Sequence, residues 1–411
     1  METKSVIELK DSKSYDKILK SLEKKNYIPQ YLPLKMEKLS NIKKVRYKEK
    51  LLKVPYLIDI SHSLILKYYF KGNNLFNLSS LILKEKYGQL YNYYMDYLID
   101  NKILNLEGDY CKGKFTKKYS INNDILINDL KRYKNKDSIL IKKNKAKLLQ
   151  LKEQFSKEND LIDQDVKNKL IEDLFYIDIQ FEKSIYYLDN LEDKTHDVYN
   201  KNKYSVEAID DKHIFYHFDD FGRMHTNYTI LKSFIRKNCL LIEGEETFEV
   251  DIQNSQPLFL TKIISSWNNT NIDQNEYSLF RQLTLNGKFY DYVMDRLNIK
   301  DRNIIKKMTY KVFFGKNNKH SKEDIMFSSL FPSIHEFIKV YKKFHNNYKQ
   351  LAYDLQKLES NLIFNKVIKK VMDLYPNARI ITVHDSIMSS RSYEERIKNI
   401  FYTELKKEFD F

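Results

Sequence analysis

The chain has 411 residues, enough for two or three domains with cores of their own, and its hydrophobic share of 42% belongs to a folded globular protein rather than a disordered one. Lys and Arg number 71 against 56 Asp and Glu, a formal charge of +15 that favours a polyanionic partner; AT-rich coding, which inflates Lys, Asn, Ile and Tyr, produces the same balance without one. Two cysteines, Cys111 and Cys239, are too few for a disulfide framework or a thiolate zinc site, and no apolar run approaches the roughly 18 residues of a membrane span.

The first residues, "METKSVIELKDSKSYDKIL", mix acids with bases and lack an apolar centre, so neither a secretory signal nor a transit peptide is expected. A soluble, cytoplasmic protein follows as the expectation. Residues 1–125 carry helical and strand-like runs such as "HSLILKYYF" and "SSLILKEKYGQLYNYYMDYL", read as a largely helical accessory domain without assignable chemistry. Residues 126–205 form a second region. Its segment "KRYKNKDSILIKKNKAKLLQLKEQF" predicts one or two long helices, and residues 131–147 hold eight bases and one acid, either a solvated face or a strip that follows a phosphate backbone. Acids return in "NKLIEDLFYIDIQFEKSIYYLDNLEDKTHD", again helix-like, and the polar "EDKTHDVYNKNKYS" predicts a boundary near residues 192–205.

With eight glycines the chain shows no dinucleotide fingerprint and no P-loop, and no zinc-binding His-Glu-x-x-His occurs. "DFG" at 220–222 lacks the other kinase motifs. Residues 206–411 carry four signals instead. Gly222-Arg223 in "DDFGRMHT" reads as a turn followed by bases. "EVDIQNSQPLF" puts Asp251 at a strand end with polar turn residues behind it. In "DRNIIKKMTYKVFFGK", Arg302, Lys306, Tyr310 and Phe314 recur every four residues along one helical stripe that stops at Gly315. "ARIITVHDSIM" reads as a hairpin with His384-Asp385 at its apex.

Burying Arg302 and Lys306 beside Phe314 would be costly without an anionic partner, and a triphosphate is such a partner. Two strand-borne aspartates could hold two divalent cations beside it, and phosphoryl transfer needs little more than positioning and charge neutralisation. The four signals together describe a polymerase.

In order and content, "GRMHT", "VDIQNSQP", "RNIIKKMTYKVFFG" and "TVHDSI" resemble the family A polynucleotide polymerases: DNA polymerase I, its phage and mitochondrial relatives, and the single-subunit RNA polymerases. The resemblance runs from about residue 215 onwards and rests most firmly on the Arg-x-x-x-Lys-x-x-x-aromatic-x-x-x-aromatic-Gly spacing. It implies an α+β right-hand fold, with an antiparallel palm sheet and helical fingers over residues 206–411 and a thumb within 126–205. It implies Asp251 and Asp385 as the catalytic pair holding two Mg²⁺ ions. Arg302 and Lys306 would hold the triphosphate, Tyr310 would stack near base and sugar, and Phe314 with Gly315 would sit beside the templating base. Arg223 would touch the primer-template duplex and His384 would lie near the primer end. Gln356, on a helix between the last two motifs, is a looser match.

Three departures bear on sugar choice. Gln256 stands where the DNA enzymes usually carry a glutamate that excludes the 2′-hydroxyl, Phe314 stands where they carry Tyr, and "HDS" follows the RNA enzymes. The compact spacing between motifs favours the DNA enzymes. The expectation is a DNA polymerase that extends a primer on DNA with dNTPs, aided by replication partners; no Asp-x-Glu triplet for a proofreading exonuclease occurs. The Gln256 amide is expected to donate as well as accept, weakening ribose rejection. A single-subunit RNA polymerase, a primer-making or terminal transferase, and an inactive nucleic-acid binder remain as alternatives.

Overall fold

A computed structural model describes residues 28–71, 74–108, 117–126, 130–143, 161–191, 195–212, 214, 216–267, 272–317 and 321–410. Cys111, the N-terminal stretch and the basic residues from 144 onward lie outside the described residues; Cys239 is a buried free thiol. The fold is mixed α+β with antiparallel sheets, and among the described residues no helix is long and apolar enough to cross a membrane. Two compact units divide the chain. One comprises Met1–Phe155, Ile177–Phe215 and Thr226–Leu241, the other Ser156–Tyr176, Tyr216–His225 and Ile242–Phe411.

The first unit is built on helix α1 (Val54–Lys71), whose apolar positions Leu57, Ile58, Leu64 and Ile65 are buried. Around it lie the strand β1 (Ile28–Pro33), the hairpin β2 (Lys44–Tyr47) and β3 (Lys50–Lys53), and the three-stranded order β4 (Phe76–Asn77), β6 (Lys118–Ile121), β5 (Leu104–Gly108). Short antiparallel pairings thus accompany the helices of the N-terminal region. A buried carboxylate ties the elements together: Asp59 accepts from Gln30 Nε2 at 2.5 Å and Tyr87 Oη at 2.7 Å and pairs with Lys86 at 2.6 Å. Burial pushes the Asp59 carboxyl up, but Lys86 and the hydrogen bonds outweigh it and hold the group below its ordinary value.

One expectation differs here. Residues 130–135 form strand β7 (Leu130–Asn135), antiparallel to β1 with Ile28 opposite Asn135, where a long helix was expected. That stretch has no apolar stripe of helical period, and β1, distant in sequence, supplies its hydrogen bonds. Several bases of the segment are also committed within the unit: Lys131 to Glu37, Arg132 to Asp210 at 3.3 Å, and Lys143 to the carbonyls of Glu85 and Lys86. The polar stretch near 192–205 runs into a helix, His196–Asp210, capped by Thr195. Its polar residues are buried because they are bonded: the Asn202 amide donates to Val198 O at 2.8 Å and accepts from Lys232 N–H at 2.6 Å.

In the second unit, helix α2 (Gln164–Asp173) ends in the buried Asp173, which accepts from Ile380 N–H at 2.9 Å and from Arg379 Nη1 at 3.3 Å. The turn between β8 (Tyr216–Phe218) and β9 (Met224–Thr226) follows. Strand β10 (Glu245–Asp251) leads into α3 (Ser255–Ser266), and four helices come next: α4 (Gln274–Leu285), α5 (Phe289–Leu297), α6 (Arg302–Phe314) and α7 (Lys322–Leu330). After α8 (Pro332–Phe344) and α9 (Gln350–Ser360), the hairpin β11 (Ile381–Val383) and β12 (Ser386–Ser390) pairs β12 against β10, and α10 (Glu394–Phe409) closes the unit. Phe280, Phe289, Phe313, Phe327 and Phe331 form a chain of ring contacts that buries the back of α6.

Lys342 of α8 fixes the far end of α6, donating to Val312 O at 2.6 Å and Gly315 O at 2.8 Å, carbonyls that a helix terminus leaves unpaired. Burial pushes its ammonium down to about 8 against the opposing pull of Asp324. The unfolded chain therefore holds a proton that the folded chain releases between about 8 and the ordinary 10.5, so this residue's contribution improves as pH rises through that window. Urea denaturation should show the stability advantage of wild type over Lys342→Met growing from about pH 7 to about pH 10. A constant difference would contradict a buried ammonium.

Candidate active site

Strand pairing fixes the first contact. Asp251, the last residue of β10, lies opposite Ser386, so Asp385, one residue earlier, shares the same end of two adjacent strands with it. His384 and Asp385 form the two-residue link of the hairpin, and His384 adopts a positive φ of 56°, an uncommon conformation for a residue with a Cβ. Asp251 is exposed and Asp385 is half-buried. Burial pushes the Asp385 carboxyl up to about 7, with Glu359 and then Asp251 adding repulsion and Arg223 opposing them.

Arg223 reaches this place from the β8–β9 turn. Asp219 Oδ1 accepts from the backbone N–H groups of Phe221 and Arg223, and Gly222 takes a φ of 84° where a Cβ would come within 3.2 Å of Ser360 Cβ. That approach delivers the guanidinium to Glu359, whose Oε1 accepts from Arg223 Nε at 3.0 Å and also from Nη2. Glu359 Oε2 accepts from Ser255 Oγ at 2.7 Å and Gln256 Nε2 at 2.5 Å. This carboxylate is 1% exposed and has four donors on two oxygens.

The α6 stripe faces outward. Arg302, Lys306 and Tyr310 are exposed and Phe314 is half-buried, while Ile305, Met308, Thr309, Val312 and Phe313 form the buried side. The apolar face lies on the other side of the helix, so the two cations stand exposed. Arg302 and Lys306 lie over the ring of the buried Tyr290 at 5.2 and 5.9 Å from its centroid, and Arg302 also pairs with Asp291 at 3.0 Å. Tyr310 and Phe314 stack, 5.4 Å between centroids. Burial raises the Tyr310 hydroxyl, and Asp385 and Glu359 raise it further against Arg223, so the aromatic end of the stripe shares one electrostatic neighbourhood with the carboxylates. Gly315 ends the helix by close approach, since a Cβ there would lie 2.4 Å from Lys311 O.

His384 packs edge-on against His225 at 6.1 Å, and His225 Nε2 lies 2.9 Å from Asp219 Oδ2. Gln356 is half-buried on α9, but the side chain this helix sends to the centre is Glu359, one turn on, which sequence reasoning missed. A signal existed: Leu351, Leu355, Glu359 and Ile363 recur every four residues, an acid on an otherwise apolar face. Directly after it the chain switches to π-helical turns at Asn361–Ile368, a departure frequent at functional sites. Tyr290, which carries both cations, had no sequence signal.

The residues fit a hard divalent cation. Asp251 and Asp385 would supply oxygen ligands, and the Asp385 carboxyl, raised first by burial and then by Glu359 and Asp251, would gain from a cation beside it. In the turn between Asp251 and Gln256, both amide atoms of buried Asn254 and Oε1 of Gln256 have no hydrogen-bond partner among the described residues. Among those residues no cluster of three or more ligating side chains occurs; two carboxylates suffice for Mg²⁺ shared with phosphate and water. No family model, no curated protein and no solved structure matches the chain.

A folded pKa near 7 means that ionised Asp385 lowers stability, an effect absent below its ordinary 3.8 and complete above about 7. Without divalent cations, Asp385→Asn should melt higher than wild type at about pH 8 and equal to it at about pH 3. Added Mg²⁺ should raise the melting temperature of wild type and not of the variant. A variant less stable at every pH would mean that Asp385 has a structural partner instead.

Proposed function

We propose that the chain is a template-directed nucleotidyltransferase, a DNA polymerase of the family A kind with a right-hand polymerase core, which extends a primer 3′-hydroxyl and carries no proofreading exonuclease. The observation that carries this reading is the convergence of separate segments: Asp251 and Asp385 end adjacent strands, and Arg223 and Tyr310 share their electrostatic neighbourhood. Helices and strands bring them there from distant parts of the sequence. A metabolic enzyme with a closed small-molecule site would not need an exposed file of two cations and two aromatics beside its acids.

In this reading Asp251 and Asp385 hold Mg²⁺, which when bound makes the 3′-hydroxyl a better nucleophile and neutralises the departing pyrophosphate. Arg302 and Lys306, kept in place by the Tyr290 face, bind the triphosphate as paired cations. The stacked Tyr310 and Phe314 give the incoming base a flat surface. Arg223, fixed by Glu359, orients the residues around the aspartates.

A labelled primer, alone and annealed to template, incubated with dNTPs or NTPs and Mg²⁺, tests the proposal directly. Template-dependent extension is expected from wild type and none from Asp251→Asn or Asp385→Asn. Lys306→Ala should lower kcat/KM on the order of a hundredfold, because it removes a preorganised charge from a site where phosphate charge builds. Its melting temperature should stay near wild type, Lys306 being exposed. Extension of unannealed primer would point to a terminal transferase, and full activity in either aspartate variant would remove the proposed metal pair.

A further inference from the structure

We propose that Glu359 sets the sugar specificity of this site by fixing the Gln256 amide in one orientation, so that the 2′ position of the incoming nucleotide meets a hydrogen-bond acceptor. Nucleotides that carry a 2′ donor, ribonucleotides among them, are then accepted. The inference rests on the polymerase reading above and on the resemblance, which implies that Gln256 lies beside the sugar of the incoming nucleotide.

The orientation is dictated by chemistry. Glu359 Oε1 is occupied by the Arg223 guanidinium, and Oε2 receives Ser255 Oγ at 2.7 Å and the Gln256 amide at 2.5 Å. A carboxylate offers only lone pairs, so Gln256 must turn its nitrogen towards it, and the expectation that this amide also donates to the sugar is corrected; the reverse orientation would press two oxygens together. The Gln256 carbonyl oxygen is left buried without a partner among the described residues, an arrangement that is unfavourable until a donor arrives. A 2′-hydroxyl can donate to it and a 2′-hydrogen cannot. The donor of a ribonucleotide thereby offsets the crowding that its 2′ oxygen meets, so ribonucleotides are admitted beside deoxynucleotides. The same contact accounts for glutamine at this position: a glutamate here would set two buried carboxylates against each other.

Exchanging Glu359 for glutamine should invert the polarity. The two Arg223 N–H groups that now meet Oε1 would hold the oxygen of the new amide, its nitrogen would then face position 256, and Gln256 must turn over to present its own nitrogen to the sugar. Primer extension with 2′-amino-dNTP, a donor, and 2′-fluoro-dNTP, which cannot donate, reads this directly. Wild type should show a higher kcat/KM for the amino analogue. E359Q should move the amino-to-fluoro ratio towards fluoro by on the order of tenfold. Gln256→Met, with no acceptor, should lose the amino preference, and the swap Q256E/E359Q, which restores an acceptor at 256, should regain it. If E359Q does not fold, the swap and Gln256→Met carry the test. Thermal melts add a readout free of catalysis: Gln256→Glu should destabilise, and E359Q in that background should recover most of the loss. Extension by wild type with a ratio unchanged in E359Q, or in both substitute variants, overturns the role of Glu359 and leaves the polymerase reading standing. No extension by wild type overturns the polymerase reading, and this inference with it.

Discussion

A carboxylate removed from water has to be surrounded by donors, and the second unit is arranged around one that is. Glu359 gathers Arg223 from a hairpin turn, Ser255 and Gln256 from the start of a helix, and anchors all three to α9. Breaking a buried ion pair by removing one partner destabilises by about 3–5 kcal/mol, enough to make this contact a condition for the rest. Gly222 suits this approach, since its φ of 84° strains a residue with a Cβ and a Cβ there would press on Ser360. The two aspartates are placed by a separate device, the β10–β12 register, and the Glu359 network sets the guanidinium beside them.

The same region concentrates groups that oppose stability. Asp385 is pushed up to about 7 by burial and by neighbouring carboxylates, His384 takes a left-handed backbone conformation, and three amide atoms between Asn254 and Gln256 lack partners among the described residues. A core built for stability alone would have replaced them with apolar side chains. Their collection at one end of a short antiparallel sheet, next to outward-facing cations and aromatics, is what the proposed binding of a polyanion and its counter-cation would relieve.

The first unit teaches a different lesson about charge. Its basic segment invites a phosphate-binding reading, yet Lys131, Arg132 and Lys143 are each engaged within the unit, by Glu37, by Asp210 and by helix-end carbonyls. The excess of lysine in a composition says little until the partners are known. Asn202 and Ser205 likewise look like linker residues and are buried helix residues with every reason to be there once Val198, Lys201 and Lys232 are in place.

By itself the sequence determined what is local. The four-residue recurrence from Arg302 to Phe314, the strand ending in Asp251 and the apex at His384-Asp385 are written in periods of 3.6 and 2 and in turn chemistry, so helix α6, strand β10 and the hairpin were legible. Tertiary structure alone decided what depends on a partner far along the chain. Which side of α6 is buried follows from the phenylalanine contacts with neighbouring helices, and β7 is a strand because β1 accepts it. Glu359 became central because Arg223 and Gln256, 136 and 103 positions away, arrive at its two oxygens. Hydrogen bonds and charge pairs act over a few ångströms in space whatever the separation in sequence, and no local pattern records where the chain will return.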